Sequence, residues 1–121
     1  MIASKHYVLT FGICTLILGS SAVLAQRPGN PQTGQAIYQQ HCVRCHGKAL
    51  DGKGPDAASL GVPPANFHSA HSRIKDDFEL WLTIQGGRMF TAMHNWSDEL
   101  RNDQINDVVA YIRSVVPHEK P

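Results

Sequence analysis

A chain of 121 residues has room for one small domain. Eleven Lys and Arg stand against ten Asp and Glu, so no basic stripe marks a nucleic-acid binder. A domain this short buries a modest fraction of its surface and often needs a staple beyond its own side chains.

Lys5 and His6 sit in a short polar start. An apolar run follows from Tyr7 to Leu18, then the small-residue stretch Gly19 to Ala25. That order reads as a cleavable secretory signal peptide over residues 1–25, cut after Ala25, leaving one domain over residues 26–121 in the periplasm. The alternative is an uncleaved anchor, because Tyr7 to Gln26 carries no charge and is just long enough to span a bilayer. Cys14 follows Ile13, where lipidation wants a small residue, and leaves with the signal. Cys42 and Cys45 are then the mature cysteines. Without Lys5, ten basic side chains face ten acidic ones.

Arg27-Pro28-Gly29-Asn30-Pro31 marks a loop. The first helix is expected from about Thr33, as N-cap, to His41. Ile37, Tyr38 and His41 recur at helical spacing, and Gly34 lies one turn before Tyr38. Gly34 is either a loop residue near a helix start or a point of close approach for another helix.

This helix delivers the chain into Cys42-Val43-Arg44-Cys45-His46. C-x-x-C-H is the pattern of c-type haem attachment. Two thiols on one tight turn can each add to a haem vinyl group, and the next residue presents an imidazole to the iron. Two other readings stay open at this point. One is a redox disulfide, which expects a strand before Cys42, where no strand-like alternation is found. The other is a mixed zinc site completed by His41, His68, His71 or His94.

From Gly47 to about Lys75, turn formers dominate, as in Asp51-Gly52-Lys53-Gly54-Pro55 and Val62-Pro63-Pro64-Ala65-Asn66. So long a loop needs a task, and wrapping a flat cofactor is one, with Leu60, Val62 and Phe67 against its face. A second helix is expected from about Asp76 to Gln85. Asp76, Asp77 and Glu79 suit its dipole, Phe78, Trp81 and Leu82 share one face, and Gly86-Gly87 stops it. Met89 and Met93 follow. The last helix is expected over Asn102 to Val115, with Asn102 as cap, Ile105, Val108, Val109 and Ile112 at i, i+3, i+4 spacing, and Pro117 beyond its end. The expected architecture is all-α, with three main helices and long loops wrapped around one covalent haem.

These parts together resemble a class I cytochrome c of the small bacterial monohaem kind. The likeness covers nearly all of Thr33 to Val116. It rests on Gly34 and Tyr38, Cys42-Val43-Arg44-Cys45-His46-Gly47, Gly54-Pro55, Thr83-Ile84-Gln85-Gly86-Gly87, Ala92-Met93, and Val108-Val109-Ala110-Tyr111-Ile112-Arg113. The resemblance implies haem c with its iron, bound through Cys42 and Cys45. It implies His46 as proximal ligand and Met93 as distal ligand, with Met89 as rival. It also implies the Pro55 carbonyl as partner of the other His46 nitrogen, and a crossing of Gly34 and Tyr38 with Val108 and Tyr111. The chain departs from the family pattern at His94, where Pro usually follows the ligand Met. That leaves open a bis-histidine iron or an open site with ligand-binding or peroxidase-like activity. Arg101 also departs, standing where a Ser or Thr cap is usual.

A His/Met iron with no open position implies an electron-transfer protein and not an enzyme. The function expected is a soluble one-electron carrier between a dehydrogenase or quinol-oxidising complex and a terminal oxidase or reductase. The other assignment is a haem subunit of a larger dehydrogenase. The expected partners are redox proteins docking at the exposed haem edge, with no nucleic acid, no membrane span after signal cleavage, and a monomeric chain.

Overall fold

The computed structural model describes residues 27–120. The signal peptide and its cleavage point lie outside the described residues. Among the described residues five α-helices occur in order: α1 Pro31–His41, α2 Val43–His46, α3 Ala70–Arg73, α4 Asp77–Gly86 and α5 Asn102–Val115. A 3-10 turn covers Ala57–Ser59. Among the described residues there is no strand.

The ends of the helices follow from local chemistry. The first helix starts two residues before the expected Thr33. Asn30 caps it by accepting from the amides of Gln32 and Thr33 at 2.9 and 3.0 Å, and Pro31 occupies the first turn. Asp76 caps α4 in a reciprocal box with Glu79. At α5 the cap position is Arg101, not Asn102. The Arg101 backbone N–H donates to Gln104 Oε1 at 3.0 Å, and Asn102 is the first helical residue.

The core forms where α1 and α5 meet. Gly34 on α1 lies against the backbone of Asp107 on α5, and no side chain could stand between them. One turn on, the rings of Tyr38 and Tyr111 pack at 5.3 Å. Asp107 is buried at this crossing, yet its charge is fully matched. Arg27 donates to both of its carboxylate oxygens, at 3.0 and 3.1 Å, and the Asn30 amide donates at 2.7 Å. A buried carboxylate needs that set of partners. Ile105, Val108, Val109 and Ile112 supply the apolar face of α5.

Phe78, Trp81 and Leu82 share a face of α4 as expected, and it is the outer one. Leu80 and Ile84 enter the core, while Phe78 and Leu82 are exposed and Trp81 is half-buried. Its apolar residues spread over more than half of the circumference, between polar Asp77, Glu79, Thr83 and Gln85, so sequence spacing singled out no one side as inner. The stretch from Gly47 to Lys75 is more ordered than its turn formers imply. Leu50 is fully buried, and its carbonyl accepts from the Phe67 amide at 2.9 Å.

Candidate functional site

Tyr38, Cys42 and His46 enter one cavity from the N-terminal half of the chain. Met93 and Trp96 enter it from the segment between α4 and α5, and Val108 and Ile112 from α5. Phe67, Ile84 and Leu100 complete the wall. The Tyr38 hydroxyl donates to the Gly47 carbonyl at 2.9 Å, which ties α1 to the turn just after the motif. Burial, the largest cause, raises the Tyr38 phenol far above its usual range, so it stays a neutral donor.

Cys42 and Cys45 are unpaired half-buried thiols. Burial first, and then the neighbouring Cys45, push the Cys42 thiol up to about 12. A redox-active C-x-x-C does the opposite and holds a thiolate near neutral pH. The raised Cys42 thiol thus lends the disulfide-exchange reading no support. Among the described residues, no three His, Cys, Asp or Glu side chains converge to hold a metal ion, so the mixed zinc site is not built either.

Burial holds the His46 imidazole below its usual range and therefore neutral, while the Ala65 carbonyl pulls weakly the other way. Nδ1 of His46 lies 3.3 Å from that Ala65 oxygen. The partner expected from the family, the Pro55 carbonyl, is not the one used. The amides of Gly54 and Asp56 donate to the Cys45 and Arg44 carbonyls at 3.1 and 2.9 Å, which pins exposed Pro55 to the outer side of α2. The Pro64–Ala65 run passes instead across the turn at Gly52. A Cβ at Gly52 would lie 2.7 Å from the Pro64 oxygen. Only Phe67, of the three loop residues expected at the cofactor face, lines the cavity, 5.1 Å ring to ring from His46. Val62 is exposed and Leu60 does not reach the wall.

The two methionines part company. Met93 lines the cavity, whereas Met89 is 83% exposed and does not. His94 is exposed as well, with its ring 4.3 Å from Trp96 and its Nδ1 2.6 Å from the Asn95 carbonyl. His41 also stands near Trp96, edge-on at 5.2 Å. The loop from Arg88 to Met93 closes on itself through the Arg88 amide and the Met93 carbonyl at 2.8 Å. Gly87 permits this closure. Its φ is +68°, and a Cβ there would lie 2.6 Å from the Asn95 nitrogen. Gly87→Ala is expected to cost about 1–3 kcal/mol and to shift Met93, read as a lower unfolding midpoint in denaturant.

These residues fit a c-type haem. Two cysteines sit one helical turn apart, a neutral imidazole follows them, and a thioether faces the same apolar cavity.

Comparison with known proteins agrees. Residues 29–112 match the family model described as cytochrome c oxidase, cbb3-type, subunit III. Dihydro-heme d1 dehydrogenase of Pseudomonas aeruginosa is 30% identical over 105 residues, which cover 86% of this chain and 18% of that one. The chain thus spans under a fifth of that curated relative. A chain of the reducing HAO-like protein complex of Kuenenia stuttgartiensis matches with a TM-score of 0.64 at 25% identity, covering 74% of this chain and 44% of that one. Cytochrome c6 of the diatom Phaeodactylum tricornutum shares the fold, with a TM-score of 0.53 at 18% identity over 71% of this chain and 93% of that one. With most of its length matched and C-x-x-C-H at residues 42–46, the chain belongs to the cytochrome c family, all-α domains that bind a covalent haem c and transfer electrons.

Proposed function

We propose that this chain is a periplasmic one-electron carrier, with thioether bonds at Cys42 and Cys45 and with His46 and Met93 as axial iron ligands. The observation that carries this reading is the convergence of Cys42, His46 and Met93 on one apolar cavity. Haem supplies a ferric/ferrous couple there when bound. The chain's own residues decide how that couple behaves. The Ala65 carbonyl accepts the Nδ1 proton of His46, fixing the tautomer that leaves Nε2 to ligate. The Met93 thioether is a soft, weak donor that favours the reduced state. Phe67, Ile84, Leu100 and Ile112 exclude water and push the potential the same way. If His46 and Met93 both held the iron, no coordination site would be left for a substrate, and the domain would carry electrons without itself being an enzyme.

In this reading residues 1–25 are the removed signal and residues 26–121 the working domain. Among the described residues no helix is long and apolar enough to cross a membrane. Electrons pass from a dehydrogenase or quinol-oxidising complex to a terminal oxidase or reductase, with partners docking at the haem edge beside Cys42 and Cys45. Optical spectra of the purified protein, oxidised and reduced, test the ligand set. A low-spin six-coordinate c-type spectrum is expected. A high-spin spectrum, with rapid binding of carbon monoxide to the reduced protein, points instead to an open site and ends the carrier reading.

One observation favours a second reading, a haem subunit of a larger dehydrogenase. The matched region makes up 18% of the Pseudomonas dehydrogenase, so such a domain works there within a bigger protein. Gel filtration of the native periplasmic extract separates the two. Elution of the haem at the size of the small domain or a pair of them supports the carrier, and elution in a much larger complex supports the subunit.

A further inference from the structure

Large apolar side chains on a helix are ordinarily covered. Helix α4 carries them on its outer face as well as on its inner one. Leu80 and Ile84 are buried in the core. On the opposite side, turned away from the cavity, Phe78 is 65% exposed and Leu82 45% exposed. Half-buried Trp81 extends this surface, its ring parallel to Phe78 within 4° at 6.3 Å between centroids.

The charges at the two ends of this stripe are opposite. Asp76 stands at the N-terminus, and Arg88 lies just past the C-terminus. Both are exposed, and neither has an ion-pair partner among the described residues. We propose that the outer face of α4 is covered by a second copy of this chain, helix against helix and antiparallel, about a twofold axis at Leu82. In that register position i faces the residue as far beyond Leu82 as i lies before it. Leu82 then meets Leu82. Phe78 faces Gly86, where a Cβ would meet nothing within 4 Å, so the phenyl ring has a flat seat. Glu79 faces Gln85, an acceptor opposite a donor. Beyond the helix ends, the antiparallel arrangement sets the Asp76 end of one copy beside the Arg88 end of the other, and the two helix dipoles run in opposite directions.

One antiparallel register thus satisfies the apolar stripe and both end charges together, as an isologous contact requires. A foreign partner would have to supply that pattern. This chain already contains it. The dimer replaces the monomer expected from the sequence, and it leaves the cavity-facing side of α4 out of the contact.

Sedimentation equilibrium of the purified haem-loaded protein, from about 1 µM to about 1 mM, tests the proposal. Wild type is expected to dimerise reversibly within that range. Leu82→Glu sets two carboxylates against each other on the axis and raises the dissociation constant at least about a hundredfold. Arg88→Ala removes two symmetry-related ion pairs and raises it roughly threefold to thirtyfold. Ser114→Glu, exposed on α5, leaves it unchanged. An unaltered haem spectrum shows that each variant is folded. A wild type that stays monomeric throughout overturns the proposal and leaves α4 to a different protein. A Leu82→Glu variant that dimerises like wild type overturns it equally, because the contact then lies elsewhere.

Discussion

Met93→Ala is expected to lower the reduction potential by on the order of 100 mV or more, within the roughly 0.8 V over which axial ligands tune haem. The reasoning starts from the donor. A thioether binds ferrous iron well and ferric iron poorly, so its removal withdraws support from the reduced state. Water or a nearby nitrogen base then takes the position and favours the oxidised state. The weak far-red absorption of sulfur-bound ferric haem should vanish in the same variant. Met89→Ala should keep both that absorption and the wild-type potential, because the Met89 side chain projects away from the cavity. The two variants together separate ligation from general loss of packing. If Met89→Ala loses the absorption and Met93→Ala keeps it, the assignment is reversed.

Gly34→Ala carries the largest expected effect on stability. In an ordinary exposed helix this change stabilises by up to about 1 kcal/mol, since Ala is the better helix former. Here the added methyl would coincide with the Asp107 carbonyl of α5. The obstacle is backbone, which cannot rotate aside as a side chain would. The α1–α5 crossing must open, loosening the Tyr38–Tyr111 contact and the burial of Val108. Overpacking of this kind costs about 2–4 kcal/mol, a large share of the roughly 5–15 kcal/mol that holds a small domain together. At the scale of such domains that is a fall of roughly 10–25 °C in Tm, measured on the haem-loaded protein. A Tm at or above wild type would mean that the helices do not approach so closely.

What could be read from the residues divides along physical lines. Chemistry set by covalent spacing was legible. Two thiols must stand one turn apart to reach two vinyl groups, so C-x-x-C-H carried its meaning without a structure. Helix α5 was legible because its apolar positions keep one side, and Gly34 because close helix packing needs a residue without a side chain. Helix α4 was legible as an element but not in its orientation. Phe78, Leu80, Trp81, Leu82 and Ile84 spread over more than half of it, and only tertiary packing selects Leu80 and Ile84 as the inner pair. The partner of His46 was hidden for a different reason. Pro55 and Ala65 both lie in turn-rich sequence, and which carbonyl reaches Nδ1 depends on the path of the loop through space. Gly52 bends that path, and its φ of +77° becomes visible only with the fold.

The clip between Arg27 and Asp107 also bears on the order of events during folding. It joins positions 80 apart, almost the full span of the domain. Closing so long a loop spends much chain entropy before any contact repays it, which makes such contacts slow to form. Synthesis runs from the N-terminus, so Cys42 and Cys45 emerge well before Val108 and Ile112 exist to wall them in. The thiols consequently pass through a stage of easy access that ends when α1 and α5 meet. A variant that weakens the clip, such as Arg27→Ala, would lengthen that stage, trading final stability for time.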